Sequence, residues 1–289
     1  MSLMDDYGQY IRQQLQQSAD AAATQWLDTA LDKISRSSDP ENDLLTLSAM
    51  ARRRLGSAPL GEQAGSIGTP SGPLDITYWE AGDVARILFL LQLLGSAAAT
   101  ESHWVESLFR HGDEMERSAV VRALVLFPAP ESHKAIALEA GRCNSLMLYS
   151  ALALKNPYPA AFYDEPEYNQ VVLKSLFTGL KIALIVGLQR RSNRDLSRMC
   201  EDYTDERLAA GRSVPNDIWL AIGPHASTHG EALMLQFLDD DDASHRYYAA
   251  LALTRRIRKN PDLAQVLSGR LSIEPEPDIR QIIENGLAS

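Results

Sequence analysis

The sequence predicts an all-α protein, arranged as an α-solenoid of HEAT-like stacked helix pairs. Three observations predict it. A short pattern of an acid, an arginine and then small and aliphatic residues on one helical face runs from Asp242 through His245, Arg246, Ala249, Ala250 and Leu253. It recurs at Pro277-Asp278-Ile279-Arg280, about 34 residues on, and a weaker copy at Glu116-Arg117 through Val120, Val121, Arg122 and Leu124 is echoed by Leu148–Leu154; such periods mark stacked helix pairs. The apolar set is dominated by alanine and leucine while aromatics make up 7%, which suits helix packing better than strands. Finally, apolar residues fall at helical rather than alternating spacing along most of the chain, and no segment reads convincingly as a β-strand.

Taken in order, residues 5–36 place Ile11, Leu15, Trp26, Leu27 and Ile34 on buried helical faces, and 41–55 form an amphipathic helix with Gly56 as its C-cap. Together they predict an N-terminal helical hairpin over 5–55. Residues 56–82 form a Gly/Pro-rich loop, with Gly56, Gly61, Gly65, Gly68, Gly72, Pro59, Pro70 and Pro73 in its first part; loops of that length often carry function. Helix resumes near Asp83, a first-turn acid or N-cap, and runs to Gly95. The spacing then predicts helices over 101–111, 115–127, 131–139 and 144–155, ended by Pro128, Pro130 and Pro157. Two helical stretches flank Gly179 within 165–189. Helices near 193–210, 216–222, 228–238, 243–259, 261–270 and 276–286 complete a solenoid over 83–289. The period is clean near 115–155 and after 228, and irregular over 156–227, which is where function is to be sought.

The chain has 289 residues, 45% of them hydrophobic, and a net charge of -10. That is enough for a substantial core, and its negative charge argues against nucleic acid as a partner. Its basic clusters, Arg52–Arg54, Arg190-Arg191 and Arg255-Arg256 with Arg258-Lys259, sit near the ends of apolar-periodic stretches, where cations complement the helix dipole. Cys143 and Cys200 are far apart and lack metal-site spacing, as expected of a reducing compartment. The longest apolar runs, Ile87–Leu94 and Ile182–Leu188, are too short to span a bilayer. These features predict a cytoplasmic protein that does not insert into the membrane directly and reaches its inner face, if at all, through a partner.

No nucleophile elbow, dinucleotide fingerprint, phosphate loop or paired CxxC is present, so an enzyme is the less expected class and no cofactor or metal is expected. His225 and His229 have i, i+4 spacing but Ala226 stands where a zinc protease needs glutamate, so capping or surface roles are expected. Asp239–Asp242 reads as a charged turn whose last acid caps the following helix.

Two segments stand out. The first runs from Asn156-Pro-Tyr158 through Phe162, Tyr163, Glu167, Tyr168, Asn169 and Gln170 to Lys174, and concentrates aromatics, acids and amides in a chain poor in aromatics. It reads either as a ligand or partner surface or as a corner whose polar groups satisfy buried backbone. The second, Asp202-Tyr203-Thr-Asp205-Glu206-Arg207 to Pro215 and Trp219, carries a helical ion-pair set at Asp202, Glu206 and Arg207; a role in holding the first segment is expected before catalysis. The candidate binding residues are therefore Asn156, Tyr158, Tyr163, Glu167, Asn169, Gln170, Lys174, Asp202, Glu206, Arg207 and Trp219.

These segments resemble the signature of the EboA-like proteins: Asn156-Pro-Tyr158-Pro with Tyr168-Asn169-Gln170-Val-Val-Leu-Lys174-Ser-Leu-Phe177, and Asp202 through Arg207 with Pro215 and Trp219. The resemblance covers about residues 80–225, most densely 150–220, and little of it falls in the N-terminal hairpin or the C-terminal repeat. It implies a place in a gene cluster that also encodes a prenyltransferase-like membrane protein, and a part in moving secondary-metabolite precursors, the scytonemin monomer among them, towards the membrane or periplasm. It brings no catalytic residue. Two functions follow as expectations. One is a non-enzymatic helical adaptor for protein partners, among them that membrane protein. The other is a binding protein or enzyme for an isoprenoid or aromatic metabolite, with Tyr158, Phe162, Tyr163, Tyr168 and Trp219 lining a groove.

Overall fold

The computed structural model describes residues 3–96 and 103–288. The chain divides into two compact units, Met1–Tyr163 and Asp164–Ser289, so the expected edges at residues 56 and 83 fall inside the first. Both are built of helices, in agreement with the predicted all-α class; a superhelix running through 83–289 stays an expectation.

In the first unit, α1 (Leu3–Ser18), α2 (Ala21–Ser35) and α3 (Pro40–Leu55) are followed by a hairpin of β1 (Ser66–Thr69) and β2 (Gly72–Asp75). Then come α4 (Ala81–Ser96), α5 (His103–His111), α6 (Glu114–Ala123), α7 (Lys134–Arg142), α8 (Leu146–Ala153) and the single turn α9 (Tyr158–Phe162). Residues 101 and 102, at the start of one expected helix, lie outside the described residues.

Helix α4 is the centre of this unit. Val84, Ala85 and Ile87 through Leu91 are all buried, and α1, α2, α3 and α6 pack around it, as expected of a helix that is apolar all round. It approaches α3 closely at Gly82, where a Cβ would lie 3.0 Å from the Arg52 Cα. Asp83 is fully buried in its first turn and pairs with Arg86 (3.3 Å) and Arg122. It is the first-turn acid expected of it, and the same carboxylate also joins α4 to α6.

Two readings of the sequence are corrected here. The stretch over 5–36 is two helices, because Asp20 breaks the run and caps α2 through the Ala23 amide at 2.7 Å. The Gly/Pro-rich loop holds an antiparallel hairpin in the register Ile67↔Leu74. Each strand has one buried side chain, too few to show an alternating pattern.

The second unit comprises α10 (Glu165–Thr178), α11 (Leu188–Arg191), α12 (Arg194–Ala209), α13 (Trp219–Ile222), α14 (Thr228–Phe237), α15 (Ala243–Thr254), α16 (Leu263–Leu271) and α17 (Pro277–Leu287). Its caps follow the residues that favour them: a reciprocal Asp164/Glu167 box on α10, Asn193 on α12, Ser227 on α14 and Asp242 on α15. Gly179 closes α10 in the left-handed region, with φ 75°. The apolar run after it makes a 3-10 turn over 182–184 and the short α11, rather than a second long helix.

Helix α15 packs against α13, α14 and α17, and the arginine of the repeat pattern explains part of that packing. Arg246 donates to Glu274 (3.0 and 3.1 Å) and to the carbonyls of Asp240 and Asp241, while Arg270 grips the same carboxylate at 2.6 and 2.9 Å. Burial alone would raise the Glu274 pKa, but the hydrogen bonds from Arg246 and Arg270 hold it down at about 2. A carboxyl lowered by folding contributes stability above its ordinary value of 4.5 and loses it as the pH falls through about 2. The second unit is therefore expected to lose on the order of 3 kcal/mol across that acid window. Chemical denaturation at stepped pH, with Glu274→Gln lacking this slope, checks it.

Among the described residues, no helix is long and apolar enough to cross a membrane.

Candidate functional site

A cavity of about 590 Å³ opens in the first unit. One wall is the segment after α6, where Leu124–Leu126 form a 3-10 turn, Phe127 is extended and Ala129 is left-handed at φ 45° between Pro128 and Pro130. The two prolines have no N–H to satisfy, so this stretch presents side-chain carbon and carbonyls rather than stranded donors. Met4 and Tyr7 of α1 form the facing wall, Ala161 and Phe162 of α9 another, and Pro70 and Ser71 at the hairpin turn a further edge. Most of the lining is apolar; Tyr7, Ser71 and Glu131 bring polar side-chain groups, the composition expected of a small-molecule site.

The corner at 155–163 braces this cavity. The Asn156 amide is buried, donates to the carbonyls of Val121 (3.1 Å) and Ala151 (2.9 Å), and accepts from the Tyr158 amide (3.0 Å). Its role is to satisfy backbone at a chain reversal. Tyr158 is fully buried and its hydroxyl donates to the Pro130 carbonyl at 2.8 Å, a strut to the cavity wall. Burial pushes the Tyr158 phenol up, aided by the Glu131 charge, so it stays a donor. Phe162 lies 4.7 Å from the Tyr158 ring and Tyr163 packs edge-on to it at 6.3 Å. Lys155, held at φ 56°, pairs with Asp75 at 2.8 Å and covers the Tyr78 ring at 3.8 Å, tying this corner to the hairpin.

The remaining candidate residues lie in the second unit. Glu167 closes the α10 cap through the Asp164 amide at 2.8 Å. Asn169 is buried and exchanges hydrogen bonds with Asn193 (2.9 and 3.2 Å), which also caps α12, so this amide pair joins α10 to α12. Tyr168 is buried under Arg191 and donates to the Val186 carbonyl at 2.9 Å. Gln170 and Glu206 are exposed and Lys174 half-buried.

Asp202 pairs with Arg198 one turn earlier at 3.2 Å. Arg207 turns instead to the Tyr203 hydroxyl (3.1 Å) and to the Ser213 carbonyl, closing the loop after α12. The expected ion-pair set at Asp202, Glu206 and Arg207 is thus replaced by these contacts. Trp219 is fully buried and donates to Nδ1 of His245 at 3.2 Å. Of the five aromatics expected to line a groove, Phe162 borders the cavity, while Tyr158, Tyr163, Tyr168 and Trp219 are buried in packing.

The two histidines do not share a helix. His225 ends a 3-10 turn against the Ser192 carbonyl (3.1 Å), and His229 in α14 meets Asp205 at 2.9 Å, both on the surface. Asp242 caps α15, and Asp239 pairs with Arg270 at 2.9 Å, as expected of a charged turn. No cluster that would hold a metal ion exists among the described residues. Sequence reasoning missed Tyr7 and the wall over 125–131. Two prolines flanking Ala129 were the available signal for the latter.

A family model described as Metabolite traffic protein EboA matches residues 7–223. The match reaches into α1, further towards the N-terminus than the motif resemblance suggested, and stops short of the C-terminal repeat. Comparison with curated proteins and with solved structures gives no match.

Proposed function

The chain belongs to the EboA family, and from that membership we propose that it serves metabolite traffic as a binding protein, holding a small, largely apolar metabolite in the cavity of its first unit. The cavity is the observation that carries this reading. Its volume of about 590 Å³ lies in the range that encloses drug-sized molecules. Its lining offers contact area to an apolar body, and the Asn156 and Tyr158 bonds keep its wall in place.

A second reading, the adaptor that docks a protein partner such as a prenyltransferase-like membrane protein, is favoured by the second unit. Phe177 is 63% exposed and stands edge-on to the Tyr203 ring at 4.7 Å. Arg207 is anchored to the Tyr203 hydroxyl beside it, and Lys174 lies one turn earlier on α10. An exposed aromatic beside an anchored arginine suits a docking surface.

One titration separates the two readings. The neutral fluorophore N-phenyl-1-naphthylamine is expected to bind the full chain at one site, to lose that site in Ala161→Trp, and to keep it in Phe177→Glu. Absence of saturable binding, or binding indifferent to Ala161→Trp, would count against the cavity reading. Capture of the membrane protein lost in Phe177→Glu would then favour the adaptor.

A further inference from the structure

Two basic clusters far apart in the chain, Arg190-Arg191 and the stretch from Arg255 to Lys259, meet in the second unit. Printed side by side in space, they are tied by a ring of contacts. With its amide oxygen facing Arg255, Gln189 accepts from both terminal guanidinium nitrogens at 2.5 and 2.6 Å. His225 meets the Ser192 carbonyl at 3.1 Å, and Lys259 donates to the Pro224 carbonyl at 2.8 Å. The end of α11, the turn over 223–225 and the segment after α15 therefore form one face. Arg256 is neutralised by Glu231 at 2.9 Å. Arg190, Arg255 and Lys259 are exposed and pair with no carboxylate among the described residues. Arg255 is also partly desolvated: burial lowers its pKa, against a weaker opposing pull from Tyr247. Complementing a helix dipole accounts for cations at the end of α15. It does not account for an arginine that loses hydration and gains only an amide oxygen.

We propose that this face docks an acidic segment of a partner protein, with Arg190, Arg255 and Lys259 receiving its carboxylates. The surroundings of these cations choose among anions. Arginine forks match carboxylates bidentately and are enriched where proteins meet. A bilayer surface calls for apolar side chains that enter it, and none of the large exposed hydrophobic residues falls in these three segments. A nucleic acid extends its charge well beyond the face and is repelled by a chain of net charge -10. A short acidic segment meets chiefly the local cations, because charges more than about 8 Å away are screened at physiological salt. Its carboxylates give Arg255 the counterion that the fold does not. The proposal rests neither on the cavity nor on the Phe177 surface.

Fluorescein-labelled decaglutamate and decaglutamine peptides, titrated with the full chain and followed by fluorescence anisotropy, test it. Decaglutamate is expected to bind saturably and more weakly as salt rises; decaglutamine is expected not to bind. Arg190→Glu with Arg255→Glu should weaken decaglutamate about 10- to 100-fold, as loss of charge-assisted hydrogen bonds implies. Arg190→Gln with Arg255→Gln should weaken it in the same direction by less. Both pairs alter exposed side chains, so the Tm of each should stay near that of the parent. Arg53→Glu with Arg54→Glu changes the net charge equally at exposed positions of the first unit and should leave the affinity unchanged. So should Ala161→Trp, which keeps this test apart from that of the cavity. No saturable binding of decaglutamate, or an equal loss in the Arg53/Arg54 pair, would overturn the proposal. Phosphatidylserine vesicles that bind through Arg190 and Arg255 while decaglutamate does not would overturn it in favour of a membrane surface.

Discussion

Glu274→Ala is expected to destabilise the second unit by about 3–5 kcal/mol, the range for removing one member of a buried ion pair. The carboxylate accepts from two arginines, and the Glu274 side chain is wholly enclosed while those of Arg246 and Arg270 are nearly so. With Glu274 gone, the Arg246 guanidinium stays desolvated without its carboxylate, and Arg270 is left with the exposed Asp239 alone, at 2.9 Å. Arg246 keeps the Asp240 and Asp241 carbonyls at 3.0 Å, which neutralise no charge. The Glu276 amide, which donates to Glu274 at 3.1 Å just before α17, loses its acceptor as well. Arg246→Met with Glu274→Leu and Arg270→Leu is expected to recover most of the loss, because apolar packing can replace a buried ionic cluster. Denaturant unfolding followed by the buried Trp219 of the same unit measures both effects. A Glu274→Ala loss below about 1 kcal/mol would mean that the cluster is hydrated.

Asn156→Ala is expected to cost the first unit about 2–4 kcal/mol, since each unsatisfied buried partner costs about 1–3 kcal/mol and neighbouring groups relax in part. The substitution strands the Val121 and Ala151 carbonyls and the Tyr158 amide together. Asn156→Asp should be worse, because it aims a carboxylate at those two carbonyls in place of a donor. The consequence reaches the site. Once the corner loosens, the Tyr158 strut no longer fixes Pro130, so probe affinity should fall as well. Unfolding curves and a probe titration on the same protein separate lost stability from lost shape.

The physical distinction between these two residues also explains what the sequence could disclose. Caps are local, and Asp242, Gly179 and the Pro-bounded helix ends were readable from their own neighbours. The 156–174 segment was conspicuous for its composition, but composition does not separate a residue that holds backbone from one that meets a ligand. Asn156 is the first kind, and holding buried backbone was one of the two readings open for that segment. The cavity is non-local: Tyr7, Ser71, Ala129 and Phe162 meet through packing of α1, the hairpin and α9, and no spacing rule records that. The hairpin itself was hidden by its glycines and prolines, and by strands with one buried residue each. An unpaired hydroxyl such as that of Tyr7 has no sequence signature at all, because tyrosine in an amphipathic helix looks the same with or without a partner.

The central claim is that this member of the EboA family carries a small apolar metabolite in the cavity of its first unit. Native mass spectrometry of the full chain, after incubation with a lipid-soluble extract of the cells that express it, tests this most directly. The account predicts one small-molecule adduct at one copy per chain on the parent protein and none on Ala161→Trp. No adduct on the parent, or the same adduct on both proteins, would contradict it.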